Sequence, residues 1–183
     1  MPDNFRIEPL GKDHDRAAFS CGKDPLDRYL KNQAGQASDR NLAAIFILTP
    51  DGKQIAGYYT LSSYAVILDE LPQEIAKRLT RMREVPATLL GRLARSIEFR
   101  GQGIGEILLV NALKRAFQNS GHVASWAVIV DAKDEEAIEF YKPYGFIQLP
   151  NKPNRLFLPM KSIQAMFPQE MERATTPSAS HES

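Results

Sequence analysis

The chain has a single cysteine, little net charge and no long apolar run. One cysteine, Cys21, excludes an internal disulfide and a multi-cysteine metal site and fits a reducing compartment. No motif supports it as a nucleophile, so a structural thiol is expected, and no metal is expected either. No stretch approaches the ~18 apolar residues needed to span a bilayer, and the N-terminus lacks the basic-then-apolar layout of a secretory signal. A cytoplasmic protein that does not enter membranes is therefore expected. What is present, 183 residues of which 43% are apolar and 25% charged, is ordinary for one soluble globular domain. Residues 1–167 are expected to form that domain. The remainder, 168–183, is polar, carries Thr175-Thr176-Pro177-Ser178 and has no apolar period, so a disordered tail is expected.

The net charge of +1 hides an asymmetry. Between residues 77 and 100, Lys77, Arg78, Arg81, Arg83, Arg92, Arg95 and Arg100 face only Glu84 and Glu98, a local balance of +5 that leaves −4 for the rest. Such a concentration suggests an anionic partner near the middle of the chain, although a solvated helix face plus a strand edge accounts for it equally well.

Phe5 to Pro9 suits a short opening strand. Asp24-Pro25 then supplies an N-cap followed by proline, and Leu26, Tyr29, Leu30, Gln33, Ala34 and Ala37 recur at helical spacing, predicting one amphipathic helix to about Asp39 despite Gly35. Ala43–Thr49 and Ile55–Leu68, rich in β-branched and aromatic residues, flank Pro50-Asp51-Gly52 and predict an antiparallel hairpin. A shorter helix opens at Pro72, with Ile75, Ala76 and Leu79 inward. Thr88–Ile97 reads as a mostly buried strand whose Gly91 marks a bulge or close backbone approach. After a glycine-rich segment a long apolar helix begins at Ile104. A strand at Ala124–Val130, a helix at Asp134–Lys142 and final strands at Phe146–Leu149 and Arg155–Met160 complete the domain, with no internal repeat.

The segment Arg100-Gly101-Gln102-Gly103-Ile104-Gly105 lies between a strand and the long helix. Glycines at alternate positions expose backbone N–H groups, and the positive end of the helix dipole backs them, a combination that binds phosphate. A Walker loop is excluded because Glu106 and Ile107 stand where Lys-Ser/Thr is required. A dinucleotide fingerprint is excluded because the third glycine comes one residue early and no βαβ unit precedes it. The pattern that fits is Arg-x-x-Gly-x-Gly, on Arg100, Gly103 and Gly105.

One strand and one helix later come Ala137-Ile138-Glu139-Phe140-Tyr141 and Tyr144-Gly145-Phe146. With the glycine loop, these resemble the GNAT superfamily of acetyltransferases. That resemblance implies an α/β (α+β) fold whose mixed, mostly antiparallel sheet splays after its fourth strand and is flanked by helices. His14-Asp15-Arg16, Phe19-Ser20-Cys21-Gly22, Leu26-Asp27-Arg28-Tyr29-Leu30, Gln33-Ala34, Gly57-Tyr58-Tyr59-Thr60-Leu61 and Leu90-Gly91-Arg92-Leu93-Ala94 narrow it. They are similar to the GNAT toxins of type II toxin-antitoxin modules, over about residues 5–161. The resemblance implies acetyl-CoA as cofactor, the α-amine of aminoacyl-tRNA as acceptor, a translation block, a ribbon-helix-helix antitoxin and, in many relatives, a homodimer.

It also implies site residues. Leu93, Ala94 and Arg95 would meet the pantetheine arm, with the amide pairing on the backbones of Leu93 and Arg95. Arg100, Gly101, Gln102, Gly103, Ile104 and Gly105 would meet the pyrophosphate. Asp134 would also meet the cofactor arm, standing where many relatives carry an asparagine. Tyr141 would be the catalytic tyrosine: a phenol of pKa ~10 stays protonated at neutral pH and can donate to a thiolate whose conjugate acid is near ~8.5. No general base stands near the motifs, His14 and His122 being isolated. An α-amine of pKa ~8 needs well under ~1 kcal/mol to be neutral at pH 7.5, against roughly 4 kcal/mol for a lysine amine. Lys77, Arg78, Arg81, Arg83, Arg92 and Lys142 are the candidate tRNA contacts, reading phosphates rather than bases. Two alternatives stay open: acetylation of a small amine or a protein, and a non-catalytic acyl-CoA-binding regulator.

Overall fold

In a computed structural model, residues 4–79 and 81–168 are described, and seven strands form one sheet. The strands are β1 (Arg6–Pro9), β2 (Ala44–Thr49), β3 (Gly57–Ile67), β4 (Glu84–Arg95), β5 (Ala127–Asp131), β6 (Ile147–Leu149) and β7 (Lys152–Pro159), in the order β1-β2-β3-β4-β5-β7-β6. All neighbours are antiparallel except β4 and β5. The helices are α1 (Asp24–Asn32), α2 (Ala34–Asp39), α3 (Gln73–Ala76), α4 (Ile104–Ser120), α5 (Glu135–Tyr141) and α6 (Met160–Met166). No helix among the described residues is long and apolar enough to cross a membrane. The tail expected from residue 168 lies, beyond its first position, outside the described residues.

Strand alternation divides the core between two faces. On one, Leu108, Leu109, Ala112 and Leu113 of α4 pack with Ile138 of α5 and Ile163 of α6 over Leu48, Tyr59, Leu90, Val128 and Leu156. On the other, α1 and α2 place Leu26, Tyr29, Leu30 and Ala34 on Ile45, Ile47, Tyr58 and Ala94. Further along that second face, Ile75 and Ala76 of α3 cover a cluster of Val66, Ala87, Ile129 and Phe157. Closeness to α4 explains Gly57, where a Cβ would stand 2.7 Å from Leu108 Cδ1 and 2.8 Å from the Ala94 carbonyl oxygen.

Two features of β4 position the site. First, Thr60 pairs with Arg92 but Leu61 with Leu90, so Gly91 is the extra residue of a β-bulge. Leu90 and Leu93 therefore both face α4, while Arg92 and Ala94 join the α1 side. Second, β5 pairs with β4 only from Thr88 to Leu90, although β4 runs on to Arg95. The sheet opens there, where the resemblance places the splay.

Several predicted bounds shift. The single helix expected to Asp39 is two, divided at Gln33, whose φ of −120° is not helical. Strand β4 begins four residues before Thr88 and includes Pro86, which lies outside the stretch that β5 pairs and so forgoes no ladder bond to it. Strand β5 begins three residues after Ala124, and β7 three before Arg155. Helix α6 occupies Met160–Met166, where the sequence pattern predicts none.

Candidate active site

The Ser96 amide donates to the Ala56 carbonyl at 2.8 Å, which fixes the phase of the β3–β4 ladder beyond the bulge. Opposed residues alternate between hydrogen-bonded and unbonded pairs, so Tyr58–Ala94 is bonded while Tyr59–Leu93 and Gly57–Arg95 are not. The N–H and C=O groups of Leu93 and Arg95 consequently point away from β3, into the opening that β5 leaves. A ligand with its own amides would complete the ladder there.

A cavity of about 460 Å³ occupies this opening. Leu93, Ala94 and Arg95 line one side, Gly101, Gly103, Ile104 and Gly105 one end, and Phe140 and Tyr141 the far wall. Most of the expected cofactor residues thus meet in one place. Arg100 and Gln102 are exposed and outside the lining. Gly101 and Gly103 have φ of +78° and +71°, in the left-handed region, and a Cβ on either would meet no atom within 4 Å. Conformation and access for a ligand, not packing, call for glycine at both. Gly103 is the N-cap of α4 and offers no side-chain acceptor, so the first-turn N–H groups of a 17-residue helix lack the usual capping partner. An anion fits that end.

Tyr141 closes α5, and Lys142-Pro143-Tyr144 continues as a 3₁₀ turn, as Pro143 requires. Its ring packs against Phe140 and Phe146, with centroids 5.1 and 5.3 Å away, and only 7% of the residue is exposed. Burial alone pushes the phenol above its ordinary range. The group is therefore a proton donor throughout the neutral range. Cys21 also lines the cavity, half-buried; burial, then a hydrogen bond with Asp27, raises its thiol to about 11. It stays protonated at neutral pH, consistent with a structural role.

Nothing in the sequence pattern points to the cavity's second wall. Cys21, Lys23 and Leu26, at the start of α1, line it opposite Glu136 and Ala137 of α5. Lys23 Nζ donates to Asp134 Oδ2 at 2.8 Å, joining residues 111 apart in sequence across the cavity. Asp134 is also the N-cap of α5, accepting from the Ala137 amide at 2.8 Å. Lys23, then that amide, hold its carboxyl below the usual carboxylate range. Asp134 itself is not in the cavity lining, so here it acts through α1 and α5. No sequence signal pairs a lone lysine with an aspartate so distant.

The six basic candidates are not gathered. Arg92 lies across the Tyr29 ring, 3.5 Å from its centroid, in a groove of about 350 Å³ shared with Gln33, Gln36, Arg40 and Thr60. Lys77 and Arg78 follow α3 on the same face, and Lys77 approaches Glu74. Arg81 and Arg83 are exposed in the next loop. Lys142 sits beyond α5, paired with Glu139 at 3.3 Å. Neither His14 nor His122 serves the cavity. His14 is buried between Glu8 and the Gly11 amide, and His122 is exposed past α4.

The model of the acetyltransferase (GNAT) family matches residues 8–146. The chain belongs to this family. Among its relatives, a probable toxin TacT of Sinorhizobium fredii is 30% identical over 170 residues, 88% of this chain and 94% of that one. The structure of AtaT complexed with acetyl-methionyl-tRNAfMet has a TM-score of 0.81 at 32% identity, over 89% of this chain and 99% of that one. A tyrosine-to-phenylalanine mutant of AtaT, bound to the C-terminus of the antitoxin AtaR and to acetyl-CoA, has a TM-score of 0.77 at 30% identity, over 90% and 99%. Family membership accounts for the fold.

Proposed function

We propose that this chain is an acetyl-CoA-dependent toxin that acetylates the α-amine of aminoacyl-tRNA and so blocks translation. One observation carries the chemistry: a single cavity joins the unpaired edge of β4, the uncapped start of α4 and the buried phenol of Tyr141. The relatives supply the acceptor, because proteins of this length and fold include toxins, one of them in complex with an acetylated aminoacyl-tRNA.

In this reading Leu93 and Arg95 hold the pantetheine amides through their backbone. The amides from Gly101 to Gly105 hold the pyrophosphate, with Arg100 adding charge from outside. Acetyl-CoA, when bound, supplies the acetyl thioester. Tyr141 keeps a proton on its hydroxyl oxygen for the departing sulfur. The acceptor approaches from the α1–α2 face, where the bulge at Gly91 aims Arg92, and Lys77, Arg78, Arg81 and Arg83 extend positive charge along the acceptor arm. Lys142, beyond α5, contributes only at the rim. A substrate amine that is already largely neutral explains a cavity without a histidine base.

Control is by an antitoxin, as the AtaT complex suggests, and we assign it to the ribbon-helix-helix class on resemblance. A homodimer is proposed on the same ground. The test is incubation of the purified chain with acetyl-CoA and charged tRNA, read by mass spectrometry, beside growth on induction. Acetylated aminoacyl-tRNA with growth arrest is expected; arrest without that product overturns the acceptor.

A further inference from the structure

At the end of α4 remote from the glycine loop, a second cavity of about 480 Å³ lies between the helix and strands β2 to β4. It shares no lining residue with the cofactor cavity. Phe46, Leu61, Pro86, Ala87 and Val123 make its walls largely apolar. Among the described residues a single cation, Arg115, enters the lining, and no aspartate or glutamate accompanies it.

Arg115 is held from two sides. Its guanidinium lies 3.8 Å from the centroid of the Phe46 ring, and its Nε donates to the Tyr59 hydroxyl at 3.0 Å. Tyr59, fully buried, donates in turn to Asn111 Oδ1 at 2.6 Å. The fork is thus fixed before any ligand arrives, and its terminal NH₂ groups have no carboxylate in the lining. Parallel donors of this kind match a carboxylate in two-point geometry. Thr88 and Ser125 answer each other at 2.9 Å and the Tyr64 hydroxyl accepts from Arg155, which leaves Ser62, Ser63 and Asn119 as further polar groups in the walls. The negative end of the α4 dipole is nearby, but it amounts to roughly half a charge against the full charge of Arg115.

We propose that this cavity is a binding site for a small carboxylic acid with an apolar body. The carboxylate pairs with Arg115, and the body lies along Phe46, Leu61 and Ala87. Size and make-up fit: small-molecule sites run from about 300 to 1,000 Å³, mostly apolar with a few fixed polar groups.

The test uses the full-length protein, calorimetry and thermal melting, with 3-phenylpropanoate, its neutral amide and inorganic phosphate as probes. Saturable binding of the acid and a raised melting temperature are expected, with the amide and phosphate each at least about tenfold weaker. R115M should weaken the acid about tenfold or more, R115K less. Because R115M also removes a bond to Tyr59, N119W offers a second variant: it fills the mouth from an exposed position and should abolish acid binding while the unliganded protein melts normally. Saturating coenzyme A should leave the acid's effect intact. Equal binding by R115M, equal binding of acid and amide, phosphate binding tighter than the acid, competition by coenzyme A, or no saturation by ~10 mM each overturns the proposal.

Discussion

The cofactor cavity and the groove around Arg92 are built of different materials. The first is backbone: the open edge of Leu93 and Arg95, the glycine turns at 101 and 103, and the start of α4. The second is side chain: Arg92 on Tyr29, with Gln33, Gln36 and Arg40 around it. A backbone site is set by local chain geometry and fails as a whole when a Cβ intrudes. A side-chain site divides its affinity among exposed groups and loses it by steps.

Four measurements bear on that contrast. The largest effect is expected from Tyr141→Phe, which should lower kcat by about 10²- to 10⁴-fold with KM for acetyl-CoA little changed, since in the proposed role the phenol would move a proton rather than hold the cofactor. A comparable rise in KM would move Tyr141 into the binding wall. Next comes pH. Burial raises the Tyr141 phenol, so below pH 10 it stays protonated, and the titrating group is the acceptor amine near ~8. kcat/KM should therefore climb about thirtyfold from pH 6.5 to 9 and show no fall by pH 10; a descending limb below pH 9 would contradict the raised phenol. Gly103→Val, forced into the left-handed region at a cost of ~1–2 kcal/mol, should weaken acetyl-CoA binding about tenfold or more in calorimetry and leave tRNA binding unchanged. The smallest effects belong to the side-chain region. Arg92→Ala, and Lys77→Ala with Arg78→Ala, should each raise KM for charged tRNA severalfold and flatten its salt dependence by about 0.7 to 0.9 in log–log slope for each phosphate no longer neutralised. An unchanged slope would remove those residues from the RNA face.

The same contrast explains what is legible in the sequence. Gly101, Gly103 and Gly105 announce a backbone site because the residues that make it are contiguous, and Gly91 announces the bulge for the same reason. The fold of alternating strands and amphipathic helices is equally local. Lys23 and Asp134 are not legible as a pair, because only the closing of α1 against α5 brings them within 2.8 Å. The basic residues mislead in the other direction: a run of positive charge in sequence becomes Arg92 in a groove, Lys77 and Arg78 after α3, and Arg83 in an exposed loop. The break at Gln33 is also hidden, since apolar spacing continues through it into Ala34 and Ala37.

The bulge at Gly91 does more than bend a strand. Strands obey parity: even and odd positions look to opposite faces, and a ligand on one face sees every second residue. With one extra residue, β4 changes parity midway, so Leu90 and Leu93 agree although three apart, and Ala94 joins Leu89 on the other side. A strand of fixed parity would turn Arg92 toward α4 and Leu93 toward α1. Pairing Gly91 in register, instead of leaving it as the extra residue of the bulge, would thus exchange the two sides of β4 beyond it, and a cofactor and an acceptor proposed to meet across this strand would lose their common ground.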